Sequence, residues 1–235
     1  MHLNVLGGLK KLQRSKSLRM SSIKRVIQFL ESALKGSKPG LKAQLKMVTN
    51  PRPGHKTYRE VEDSCIKAGV LVLLYPWKRQ LHLVLTRRPS HIGLHQAQIS
   101  FPGGRQEDKE SFEQAAMREA HEELRIPVES IRILGELTPL YIPPTNYCIY
   151  PVVAATGKRP DFQPSEDEVA EIIEVPLDHL LNSQCMRREV WTVRGLKVEV
   201  PFYLFREHKI WGATAMVLAE LLDLVKSNVK QGPLI

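Results

Sequence analysis

Gly103-Gly104-Arg105-Gln106-Glu107-Asp108-Lys109-Glu110-Ser111, followed seven residues later by Arg118-Glu119-Ala120-His121-Glu122-Glu123-Leu124-Arg125, is the stretch whose reading decides the fold. Ser111 with Gln114 three residues on has the pattern of a capping box, so a helix is expected over residues 111–125. On that helix Glu119, Glu122 and Glu123 stand at i, i+3 and i+4 and project from one face. Like charges at those spacings cost about 0.2–0.5 kcal/mol per pair. A hard cation such as Mg²⁺ or Mn²⁺, which prefers carboxylate oxygens, gives such a triplet a reason. A solvated acidic face offset by Arg118 and Arg125 is the other reading. The turn Pro102-Gly103-Gly104 ahead of the helix favours the cation, because glycines let a backbone carbonyl approach a metal shell closely. Glu110, just before the capping serine, is placed to brace Arg118 across the helix start.

Outward from this stretch the pattern alternates. Residues 66–75 form an almost continuous apolar run of buried-strand type, and residues 81–86 form a second strand after a polar turn. Strands are also expected at 131–140, 147–154, 169–175, 190–193 and 196–204, the last two joined by Arg194-Gly195. A closing helix is expected at 214–225. The order is neither strict βαβ alternation nor all-β, which predicts a mixed sheet with helices on its faces. No internal repeat interrupts it.

Charge divides the chain. The 235 residues carry a net +9, but residues 1–60 hold 14 Lys or Arg against only Glu31 and Glu60, a local +12. The remaining residues therefore sum to −3, the difference between those figures. The predicted organisation is a basic N-terminal extension over 1–56 and a catalytic domain over 57–230. The extension carries one amphipathic helix over 22–35, with Ile23, Val26, Ile27, Leu30 and Leu34 at helical spacing. A segment this basic has the chemistry to touch nucleic acid or acidic lipid, or it is simply a solvated arm. Residues 50–54 read as a linker. The longest apolar run is too short to span a bilayer and the N-terminus lacks a signal-peptide core, so a cytoplasmic protein is expected. Cys65, Cys148 and Cys185, odd in number and far apart, suggest three unpaired structural cysteines in a reducing compartment. A homodimer is compatible with these features.

Gly104, five residues, Glu110, seven residues, Arg118-Glu119-Ala120-His121-Glu122-Glu123 and then, past one residue, Arg125-Ile126 resembles the Nudix box. Arg125 is the departure: the family usually has glycine there, a residue that favours a left-handed helix end. The resemblance implies a Nudix-like α/β/α sandwich with a mixed central sheet, and hydrolysis of a diphosphate linked to a further group. Upstream, Leu85-Thr86-Arg87-Arg88-Pro89 leading to Gln98-Ile99-Ser100-Phe101-Pro102-Gly103-Gly104 resembles the signature of the coenzyme A diphosphatase branch. Pro89, Gly93 and Ala97 depart from its longer form. Tyr141–Tyr147, Glu166–Val169 and Trp211–Ala215 are also similar to that branch. The products it implies are 3′,5′-ADP and 4′-phosphopantetheine.

With that resemblance, Glu119 and Glu123 are expected as primary metal ligands. Glu122 is expected as a third ligand or the group orienting water, and a carbonyl of Gly103 or Gly104 as a further ligand. Arg118 paired with Glu110 is orienting. Glu166 and Glu168 lie in an acidic loop that either reaches over the site, with Glu168 as general base, or is a plain acidic loop. Arg87 and Arg88 match phosphate geometry or are surface-strand charges, and Ser100 joins them as substrate-binding. Other Nudix substrates (ADP-ribose, dinucleoside polyphosphates, oxidised nucleotides) and a non-catalytic nucleotide- or RNA-binding module are the competing readings.

Overall fold

The computed structural model describes residues 22–52, 54, 56–89, 98–193 and 195–229. Residues 1–21 of the basic extension, and His91, Gly93, His95, Ala97 and Arg194, lie outside the described residues. The apolar run becomes β1 (Ile66–Trp77), and it is flanked by β2 (Gln80–Arg87) on one side. On the other side runs β7 (Tyr147–Ala155), parallel to β1, with Ile66 opposite Tyr147 and Leu74 opposite Ala155. Every other pairing in this sheet is antiparallel: β3 (Ile99–Ser100) and β8 (Glu171–Pro176) on β2, and β4 (Gly103–Arg105) on β1. The short β5 (Arg132–Glu136) and β6 (Leu140–Ile142) both pair with β7. The sheet is thus mixed, as the element order implied.

Helices cover both faces. The helix α3 (Phe112–Leu124) packs Ala116, Ala120 and Leu124 against Leu71, Leu73 and Val152 on one side. Gly69 of β1 makes this possible, since a Cβ there would collide with the carbonyl oxygen of Phe112. The opposite face carries α5 (Gly212–Val229) and the N-terminal helix α1 over residues 22–33. The predicted apolar stripe of α1 is buried: Ile23, Ile27, Leu30 and Leu34 join the cluster that holds Leu134, Leu137, Val217 and Leu221. The other α-helices among the described residues are α2 (Gly40–Gln44) and α4 (Leu177–Leu181). A second sheet, β9 (Met186–Val193), β10 (Leu196–Phe205) and β11 (His208–Trp211), is an antiparallel meander that leads into α5. No helix among the described residues is long and apolar enough to cross a membrane.

Two expectations change. The single strand expected at 131–140 is two strands on β7, with the register shifted by one residue between Glu136 opposite Val152 and Leu140 opposite Ile149. The cysteines are not all unpaired: Cys65 and Cys148 form a disulfide, with Cα atoms 5.8 Å apart. The 83 residues between them hide a neighbour relation, for Cys65 immediately precedes β1 and Cys148 lies opposite Lys67 on the adjacent parallel strand. Odd, scattered cysteines therefore said nothing about compartment here. Cys185 is free and buried.

Candidate active site

The helix α3 starts as its sequence dictates. Ser111 accepts the Gln114 N–H at 3.1 Å, and the Gln114 side chain accepts the Ser111 N–H at 2.8 Å. Its far end is left-handed, with Arg125 at φ 54°, ψ 33° and its N–H on the His121 carbonyl. The arginine thus adopts the conformation that glycine would take, at a cost of about 1–2 kcal/mol for an L-residue. The ring of His121 contacts the Ile126 carbonyl at 3.0 Å across this same exit.

Between those ends the carboxylates separate into two groups. Glu119 and Glu123 meet Glu168, each offering an oxygen within 4.8 Å of the others. Glu122 stands outside that group, half-exposed, with its carboxylate 3.1 Å from Arg118 Nη1. Arg118 is the hub of the second group. Its Nε donates to Glu110 Oε1 at 2.7 Å, its Nη2 to the Arg105 carbonyl at 3.0 Å and its Nη1 to Glu119 Oε1 at 3.0 Å. The guanidinium therefore fixes the rotamer of Glu119 while holding the glycine strand to the helix. The hydrogen bond from Arg118, reinforced by its charge, keeps the Glu110 carboxyl below its ordinary range.

Glycine is required at 103, where this strand lies against β1, and at 104 it leaves room for a carboxylate. A Cβ on Gly104 would overlap the Glu119 carboxylate, and one on Gly103 would overlap the backbone of Gly69 and Val70. Gly103 consequently sits directly against Glu123, its N–H 3.4 Å from Oε1. Oε2 of Glu123 lies 3.4 Å from the Thr86 hydroxyl. Both distances are at the long limit of hydrogen bonding, so this carboxylate, 6% exposed, is weakly held. Burial raises its pKa to about 8, aided by Glu119 and Glu168 and opposed by Gly103 and Arg88. Glu119 is raised by burial too, with Arg118 working against it. Three converging carboxylates, one of them buried with poor partners, fit a hard divalent cation, because its charge would offset both the desolvation and the mutual repulsion.

Glu168 arrives by a route that no local signal announces. The last carbonyls of α3 accept N–H groups from the loop behind it, Glu123 O from Ser165 and Leu124 O from Gln163, at 2.8 and 3.0 Å. Those bonds satisfy helix-end acceptors and swing the acidic loop onto the cluster. Strand alternation settles the two arginines. Thr86 faces Glu123, and Arg88, two residues on, is close enough to favour its charged form. Arg87 between them faces away and bonds Glu171 at 2.8 Å. Glu171 also meets His208 at 3.1 Å, so the group of Glu171, Glu207 and His208 already has its charge compensated by Arg87. Ser100 is on β3, its carbonyl 3.5 Å from the Thr86 hydroxyl. Thr86 was passed over in sequence, although its i−2 relation to Arg88 on a strand was a usable signal.

The NUDIX domain family model matches residues 66–194 of the chain. The chain is 35% identical over 169 residues to the Nudix hydrolase NudL of Photorhabdus laumondii subsp. laumondii, a protein described as uncharacterized, covering 72% of this chain and 89% of that one. A NudL of Enterobacter sp., also uncharacterized, is 35% identical over 66% of this chain and 80% of its own length. Among solved structures, the MutT protein of Methanosarcina mazei Go1 has a TM-score of 0.45 at 18% identity, covering 69% of this chain and 94% of that chain. The chain belongs to the Nudix family and is a pyrophosphohydrolase of that kind.

Proposed function

We propose that the protein hydrolyses the pyrophosphate bond of coenzyme A or its derivatives, giving 3′,5′-ADP and 4′-phosphopantetheine. The observation that supports this reading is the placement of the described parts of the stretch that resembles the coenzyme A branch, residues 85–89 and 98–104: Thr86, Arg88 and Gly103 all approach the Glu123 carboxylate. Glu119 and Glu123 would hold Mg²⁺ or Mn²⁺, and the family resemblance implies a backbone carbonyl of Gly103 as a further ligand. When bound, the ion neutralises charge on the bridging oxygens and lowers the pKa of water.

The chain's own groups do the rest. Arg118, locked by Glu110, keeps Glu119 oriented and restrains Glu122 on the same guanidinium. Glu168 takes the proton from the attacking water, whose oxygen bonds one phosphorus as the P–O bond to the other breaks. Arg88 binds the phosphate beside Glu123, and Ser100 lines the same approach. Arg87, tied to Glu171, steadies β2 against β8 from the other face of the sheet.

The test is to incubate the protein with coenzyme A, ADP-ribose or a dinucleoside polyphosphate under Mg²⁺ or Mn²⁺ and identify the products. Coenzyme A should yield the two named products. Intact coenzyme A beside a cleaved second substrate would defeat the coenzyme A reading, and no hydrolysis of any would favour a binding module.

A further inference from the structure

Apart from the carboxylates, the described residues enclose a cavity of about 370 Å³ between the segment ahead of β1 and the loop that enters β6. That volume is within the usual range for small-molecule sites. Its lining shares no residue with the Glu119–Glu123–Glu168 group. It contains three cations, Arg52, Lys56 and Arg59, and no acidic residue. None of the three cations forms an ion pair among the described residues.

Two described residues beside them are tied to the rest of the domain. Asn50 exchanges backbone hydrogen bonds with Glu199 at 2.9 Å, and the Tyr58 hydroxyl meets that of Tyr150 at 2.9 Å. Gln44 of α2 lies in the lining, fully buried. Its Nε2 donates to the Thr138 carbonyl and to Glu220 Oε2, both at 2.9 Å, and since both partners only accept, the amide orientation is fixed. Oε1 is left buried without a partner, alone in this among side-chain atoms of the described residues. Tyr141 and Leu140 add aromatic and apolar surface to the lining.

We propose that this cavity binds a nucleoside monophosphate, with the phosphate among Arg52, Lys56 and Arg59 and the heterocycle beside Tyr58 and Tyr141. Three cations that form no salt bridge and the rings of Tyr58 and Tyr141, all lining one cavity, match that two-part ligand. The site goes beyond the hydrolytic reaction and stands whether or not coenzyme A is the substrate.

The experiment is calorimetric titration of AMP into the full chain with EDTA present, so that metal at the carboxylates plays no part. Saturable binding is expected, weakened by added salt. It should weaken at least about tenfold in Arg52→Ala/Arg59→Ala and stay unchanged in Glu123→Gln. Thermal unfolding of the double variant checks its fold, and Lys56→Glu, at an exposed position, gives a second reading of the same effect. Absence of saturation at millimolar AMP would overturn the proposal, as would equal affinity in both cation variants. Adenosine or inorganic phosphate binding as tightly as AMP would overturn the two-part ligand.

Discussion

Glu123 and Glu220 are both buried on helices, 6% and 0% exposed, and their surroundings differ in kind. Glu220 accepts from the Gly40 N–H, the Gln44 amide, and both the N–H and the hydroxyl of Thr138, at 2.6–3.3 Å. It fastens α2 and the loop after β5 to α5. Glu123 has two partners, each at 3.4 Å, and two further carboxylates close by. A buried carboxylate that is fully satisfied is structural, and one left poorly satisfied among its own kind is kept for a cation. The two therefore predict opposite behaviour on substitution.

The largest effect is expected at the poorly satisfied one. Glu123→Gln should lower metal-dependent hydrolysis by at least about 10³-fold, since several kcal/mol of metal-borne stabilisation goes with it. Its unfolding midpoint without metal should equal or exceed that of the parent. A product assay and a thermal melt on the same sample decide this, and a variant that unfolds early would place Glu123 with Glu220. Glu168→Gln should cost about 10²–10⁴-fold in turnover with stability unchanged, and a loss of only a few-fold would remove it as the base.

Glu220→Ala is expected to act the other way. Removing a buried, multiply bonded carboxylate should cost about 3 kcal/mol in denaturant unfolding, with activity per folded molecule near the parent's. A pH series sharpens the contrast. The folded-state pKa of Glu123 is about 8 against an ordinary 4.5, so its contribution to metal-free stability is present below about 4.5 and lost as pH rises through 8. Binding a cation must expel that proton, so apparent Mn²⁺ affinity should rise with pH up to about 8. A pH-independent affinity would contradict the raised value. The smallest effect is expected at the helix exit, where Arg125→Gly should stabilise by up to about 1 kcal/mol by relieving the left-handed arginine.

The difference between the two glutamates also marks how far the sequence could be read. Glu123 was legible because its chemistry is local: a capping box, a three-and-four spacing and a glycine turn all lie within 25 residues. The strands were legible from their apolar runs, and α1 from its stripe. Glu220 was not, because its partners Gly40, Gln44 and Thr138 are distant in sequence, and a glutamate on an apolar helix reads as a solvent edge. The same holds for the Cys65–Cys148 pair. Glu168 was named from its acidic loop, and what the sequence left open, whether that loop meets the cluster, depends on Gln163 and Ser165 bonding a helix end far upstream. Arg87 and Arg88 looked equivalent, and only strand alternation from Thr86 tells them apart. Contacts made across the sheet leave no periodicity to read.

Isothermal titration of Mn²⁺ into the parent, Glu123→Gln and Glu220→Gln at one pH near 8 tests the central claim most directly. Saturable binding in the parent and in Glu220→Gln, with loss in Glu123→Gln, is the predicted result. Equal Mn²⁺ affinity in the parent and Glu123→Gln would contradict a cation site built on Glu119, Glu123 and Glu168.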